Sequence, residues 1–243
     1  MLKATKTDFI QSVNANNWYD MVKRFDIKYK DVFSKNRKYT IETDNGKACS
    51  CYTISNGNAF DCPSLKLGKC NMNCYGLKGC YRWNTPQINK RFQQKVLQYA
   101  PNEWLFEAIK YLANSTRIKE CNRLTEVRLN EVSDLTQTLL DKWCNLCEML
   151  LKDEATSHIQ TFTYTKMSLD FSKASELSNF CINTSQAINP IYENGNIYYI
   201  VDKTTYDSIT ENDIIKKCNC EIACKDCGMC YKDNGKFIYA KLH

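Results

Sequence analysis

Apolar residues recur through residues 6–25 as Phe9, Ile10, Val13, Trp18, Met21, Val22 and Phe25, a spacing that predicts helix. Two strand-like runs follow, Lys38–Thr43 and Cys51–Ile54, on either side of an Asp44-Asn45-Gly46 turn signal. The segment from Cys62 to Tyr81 keeps neither period and predicts a loop. From Pro86 to Glu120 the helical period returns, broken at Ala100-Pro101, where proline can open a second helix. Beyond that point the period alternates. Glu126–Asn130 predicts a strand, Leu135–Leu151 an amphipathic helix with Ser133 or Asp134 as its N-cap, and Ile159–Tyr164 a second strand. A short helix at Phe171–Leu177 and strands at Phe180–Asn183 and Ile197–Val201 complete the pattern. Strand alternating with helix predicts an α/β fold with a mainly parallel sheet. Near the end, Glu211–Lys217 predicts a short helix. A hairpin is expected to close the chain, turning at Asp233-Asn234-Gly235 into a strand at Lys236–Ala240. The expected division is an α/β core over 1–210, with the first cysteine cluster, and a cysteine-rich tail over 211–243.

Composition narrows the setting. With 43% hydrophobic residues among 243, the chain is long enough to bury a real core. No apolar run approaches the roughly 20 residues that span a bilayer, so no membrane partner is expected. The first residues lack the apolar segment of a secretory signal, so a cytoplasmic location in a bacterial host is expected. The net charge of +6 is spread along the chain; it permits a nucleic-acid partner and is equally consistent with a solvated basic surface. Histidine offers little: His158 and His243 are the only two, and His158 reads as a strand-start residue.

Cysteine changes the picture most. An odd count of fifteen in a reducing compartment argues against a disulfide framework and for metal ligands. Cys224, Cys227 and Cys230 form C-x2-C-x2-C, with Cys218 and Cys220 just upstream. Successive x2 spacing resembles the ferredoxin pattern, in which a turn wraps three corners of a [4Fe–4S] cubane. Zinc more commonly takes separated C-x2-C pairs and remains the alternative. An earlier, less regular set is Cys62, Cys70, Cys74 and Cys80, where Lys66, Lys69, Lys78 and Arg82 would favour thiolates. Cys49, Cys51, Cys121, Cys144, Cys147 and Cys181 are expected to pack in the core, including the formal C-x2-C of Cys144 and Cys147.

The strand ends are polar in succession: Asn130–Asp134, Tyr164-Thr165-Lys166, Asn183-Thr184-Ser185 and Asp202-Lys203. In parallel α/β folds, function gathers at the carboxyl ends of strands, which makes Asp134 and Lys166 the candidate catalytic pair.

The order of these motifs resembles a phage family known as gene product eighty-eight. Cys62-Pro63, Cys70 and Cys74-Tyr75 are similar to its C-P…C…C-Y-[AG] opening, and Arg128–Asp134 to its R-[LI]-x3-[SG]-D strand end. Phe162-Thr163-Tyr164-Thr165-Lys166 is similar to its F-x-Y-T-K strand, and the last three cysteines to its closing run. Asn130-Glu131 stands where histidine is common in that family, and the tail carries an extra C-x-C. A more distant likeness is to radical SAM enzymes, although their C-x3-C-x2-C loop is absent here. That likeness implies a partial (β/α) barrel-like sheet, an iron–sulfur cluster and S-adenosylmethionine. The expected function is therefore a phage or mobile-element iron–sulfur protein, radical SAM-like, acting on nucleic acid or a nucleotide. The alternative is a zinc-stabilised protein that binds nucleic acid or a host protein without catalysis.

Overall fold

Val127 and Leu129 alternate with Glu126 and Arg128, and the same two-residue period in the neighbouring strands decides which sheet face the helices cover. The computed structural model describes residues 5–35, 40–43, 46–49, 51–68, 77, 83–114, 125–130, 132–185, 195–218, 229 and 235–241, with backbone only at 40–43, 46–49 and 241. The strands are β1 (Ser34–Lys35), β2 (Thr40–Thr43), β3 (Gly46–Cys49), β4 (Cys51–Ile54) and β5 (Glu126–Leu129). They continue as β6 (Gln160–Thr165), β7 (Phe180–Ser185), β8 (Asn196–Val201), β9 (Ile215–Cys218) and β10 (Phe237–Lys241). The helices are α1 (Lys6–Ser12), α2 (Trp18–Arg24), α3 (Pro63–Lys66), α4 (Asn84–Tyr99), α5 (Asn102–Ala113), α6 (Gln137–Lys152), α7 (Ser172–Ser175) and α8 (Lys203–Ser208).

Among the described residues, eight strands form one sheet in the order β1-β4-β5-β6-β7-β8-β10-β9, and β2 pairs with β3 apart from it. Every neighbouring pair in the large sheet is parallel except β1 with β4. From β4 to β8 the strands lie side by side in chain order, as in a singly wound (β/α) unit. The sheet does not close: β1 and β9 are its two edges. The fold is thus α/β with a mostly parallel, open sheet.

Helices α1, α2 and α4 to α7 bury their apolar stripes against one face, on Tyr52, Ile54, Val127, Leu129, Phe180 and Ile182. Trp18 anchors this layer, edge-on to Phe9 at 6.1 Å and to Trp104 at 5.1 Å. Cys144 and Cys147 lie in the same core, as the sequence pattern implied. No helix among the described residues is long and apolar enough to cross a membrane.

Several local expectations are corrected. Residues 6–25 form two helices, because Val13 is extended and the Asn14 side chain accepts from the amides of Asn16 and Asn17, opening a new turn. The expected loop after Cys62 begins as helix α3, with Pro63 at its first position. The N-cap of α6 is Thr136, which accepts from Leu139 N, while Ser133 sits at φ 72° and Asp134 has other partners. The helix expected over Glu211–Lys217 is instead a turn and strand β9. Asn212 Oδ1 accepts from Ile214 N and Ile215 N, and two successive β-branched residues then suit a pleated strand. Among the described residues, β10 pairs with no hairpin partner: it inserts between β8 and β9 and runs parallel to both, and the expected turn at Asp233-Asn234 lies outside the described residues. The strands of residues 211–243 therefore complete the main sheet.

Candidate functional site

The parallel strands deliver the ends of β4, β5 and β6 to one edge, and Asp134 ties them together. Its Oδ1 accepts from Thr165 Oγ1 at 2.5 Å and from Leu135 N at 2.7 Å. Its Oδ2 accepts from Lys166 N at 2.9 Å and from the Ser64 hydroxyl of α3. Asn56 Nδ2, just beyond β4, donates to Asp134 O at 2.7 Å. The carboxylate is buried and its acceptor positions are taken by protein donors. Asp134 and Lys166 do meet at one edge, through the lysine backbone amide, with the Lys166 side chain half-buried.

Cys62 lies immediately before α3, buried and in reduced form. Burial pushes its thiol pKa up and the Asp134 carboxylate adds to that, whereas the Leu65 and Ser64 amides pull it back. Ser55 and Asn130 follow the paired residues Ile54 and Leu129, so they are neighbours across two strands. Ser55 is wholly buried and Asn130 is 2% exposed. Among the described residues, the Ser55 hydroxyl and both amide atoms of Asn130 have no hydrogen-bond partner, nor has Asn58 Nδ2. Asn130 also holds a left-handed backbone at φ 59°, a strained position for a residue other than glycine.

The face away from the helices carries the second polar feature. Pairing aligns Cys51 with Glu126, Arg128 with Phe162 and Cys181, and Tyr164 with Asn183 and Asn196. Arg128 lies over the Tyr164 ring at 5.1 Å. Asn196 donates to Asn183 Oδ1 at 3.1 Å, to Cys181 Sγ at 3.5 Å and to Met229 O at 3.2 Å, and it accepts from Lys236 N at 3.1 Å. Met229, between Cys227 and Cys230 in sequence, also packs on the cluster of Cys218, Ile238 and Ala240, as does Tyr198. Met229 is thereby fastened to this face. Sequence reading missed Glu126, Arg128, Cys181 and Asn196 as a group, because polar residues alternating with apolar ones read as an ordinary solvated strand face.

Of the nine cysteines expected to bind metal, Cys62 and Cys218 are described; both are buried. Cys70, Cys74, Cys80, Cys220, Cys224, Cys227 and Cys230 lie outside the described residues. Among the described residues, no three His, Cys, Asp or Glu side chains gather as a metal site. The strands preceding the two cysteine segments, β4 and β9, stand six positions apart in the sheet. Cys144 and Cys147 are unlike Cys62: burial raises their thiols to about 11 and about 12, and neither is a thiolate at neutral pH. Of the other polar ends, Asp202 is a cap, accepting from Thr205 N at 2.9 Å, and Asn183 Nδ2 is bound to Thr163 O at 3.1 Å.

No curated protein and no solved structure matches this chain. A family model does, over residues 30–233, and its description is Gene product 88. The match takes in the first cysteine segment, the β5 and β6 ends and the closing cysteine run, and so the chain belongs to the gene product 88 family of phage proteins.

Proposed function

We propose that this gene product 88 protein is an iron–sulfur protein, laid out like a radical SAM enzyme, that acts on nucleic acid or a nucleotide at the carboxyl edge of its sheet. Cys62, Cys70 and Cys74, with Cys80 nearby, would hold one centre. Cys224, Cys227 and Cys230, with Cys218 or Cys220, would hold the other. When bound, such a cluster supplies one-electron chemistry. The observation that supports this reading is the pair of buried polar residues at the ends of β4 and β5, Ser55 and Asn130, whose side chains lack a hydrogen-bond partner among the described residues. Buried polar groups in proteins are hydrogen-bonded in about 90% of cases or more, so a concentration of exceptions marks a place where something else binds.

In this reading Asn130 recognises the ligand. A carboxamide presents a donor and an acceptor side by side, which complements an adenine edge of a nucleotide or of S-adenosylmethionine. Lys166 would contact the anionic part of the substrate. Asp134 would act as a positioning residue, holding α3 and with it Cys62 against the end of β6. The test is equilibrium binding of S-adenosylmethionine and of adenine nucleotides to anaerobically prepared protein. Asn130→Ala should weaken that binding at least tenfold while leaving metal content unchanged. Equal binding by wild type and Asn130→Ala would remove Asn130 from the site. Colourless protein carrying stoichiometric zinc would favour the non-catalytic binder of nucleic acid or a host protein.

A further inference from the structure

Between α3 and α4, on the helical side of the sheet, lies a cleft of about 350 Å³ lined by Ile10, Asp61, Lys66, Arg91, Gln94 and Lys95. Three of these six side chains are cationic and one is acidic. Arg91 Nε reaches Asp61 Oδ2 at 3.2 Å, and Lys95 Nζ lies over the Tyr99 ring at 5.2 Å. Lys66 is exposed and has no carboxylate partner among the described residues. Charge left unbalanced in a concave site attracts anions more strongly than the same charge on a convex surface.

Helix α4 extends this cleft as a stripe. Asn84, Ile88, Arg91 and Lys95 recur at spacings of four, three and four, so they share one face. At its head stands Trp83, 68% exposed, about 12 Å along the axis from Arg91 at 1.5 Å per residue. Phe60, 56% exposed, precedes Asp61 on the opposite wall. Large exposed aromatic rings beside cations are the combination that holds single-stranded nucleic acid: cations follow the phosphates and rings stack on bases that no complementary strand covers. A merely solvated helix face would explain the cations and leaves Trp83 and Phe60 without a reason to be exposed.

We propose that this cleft binds a single-stranded nucleic acid, with phosphates at Lys66, Arg91 and Lys95 and a base stacked on Trp83. Lys66 and Cys62 are separated by one turn of α3, with Lys66 N bonded to Cys62 O at 3.1 Å, so a strand in the cleft passes one helical turn from Cys62. The inference deepens the proposed function by choosing a polymeric, single-stranded substrate over a free nucleotide. Iron and sulfide analysis of the same samples separates failure of the inference from failure of the iron–sulfur reading.

The test is fluorescence anisotropy of a labelled single strand of about twelve nucleotides, and of the matching duplex, with the metal-loaded full chain. Lys66→Glu/Arg91→Glu/Lys95→Glu is compared with Lys28→Glu/Lys30→Glu/Lys152→Glu, which changes net charge equally at exposed sites outside the cleft lining. The cleft variant should lose at least about tenfold in affinity. Its slope of log K against log salt should fall by about 2, from roughly 0.7 per phosphate contact and three contacts. The control should lose less than about threefold, and Trp83→Ala should weaken the single strand and spare the duplex. Because Arg91→Glu would repel Asp61, Lys66→Gln/Lys95→Gln serves as a milder variant and should reduce the slope by about 1.4 on the same arithmetic. Absence of wild-type binding at low salt, equal losses in cleft and control variants, or duplex binding as tight as single-strand binding would each overturn the proposal.

Discussion

Replacing Asp134 by alanine removes the acceptor for four donors at once: Leu135 N, Lys166 N, Thr165 Oγ1 and Ser64 Oγ. The two hydroxyls can rotate toward other acceptors, but the two amides are fixed by the backbone. Leaving a buried donor unsatisfied costs about 1–3 kcal/mol, and hydrogen bonds to charged acceptors are at the stronger end. Two stranded amides, with incomplete recovery at the hydroxyls, give a loss of about 3–5 kcal/mol. For a domain of this size each kcal/mol moves Tm by about 2–4 °C, so Asp134→Ala should melt roughly 6–20 °C lower. Asp134→Asn keeps the volume and one acceptor oxygen, so its loss should be about half as large. Thermal melts of the anaerobic, metal-loaded proteins, followed by circular dichroism, measure both. An Asp134→Ala melt indistinguishable from wild type, together with lost ligand binding, would refute this reasoning and return Asp134 to direct contact with substrate.

Other expectations concern buried titratable groups and the turn after β4. Burial lowers the Lys142 pKa to about 8 from 10.5, so the folded state loses this proton before the unfolded state does. Its contribution therefore makes stability rise between about pH 8 and pH 10. The raised thiols of Cys144 and Cys147 oppose that trend, so the comparison is with Lys142→Met, whose stability-against-pH slope over that range should be less positive than that of wild type; equal slopes would refute the assignment. Cys144 and Cys147 should resist alkylation in native protein and react on unfolding, as read by mass spectrometry of the 143–152 peptide. Gly57→Ala should cost about 1–3 kcal/mol in denaturant titrations, because Gly57 sits at φ 104° and an added Cβ would lie 3.0 Å from the Gln94 side chain.

The sequence made the alternating elements legible because both periods were clean. Helices α4, α5 and α6 and strands β5 to β8 stand within a few residues of where hydrophobic spacing put them. It failed in the tail, where Ile214-Ile215-Lys216-Lys217 suits either helix or strand and only pairing with β10 decides. The gathering of Asp134 and Lys166 was legible from parallel topology. The use of Asp134 was not, since its partners Ser64 and Thr165 lie 70 and 31 residues away. Asn130 was visible as part of a polar rim, but neither its burial nor its missing partners follow from any local pattern.

The account stands on the chemistry of its cysteine segments, and metal and sulfide analysis of anaerobically expressed and purified protein tests that most directly. It predicts brown protein with iron and acid-labile sulfide in equal amounts, and it predicts that Cys227→Ser loses part of both while Asn130→Ala retains them. Colourless protein with zinc, or without metal, after anaerobic expression with iron supplied would contradict it.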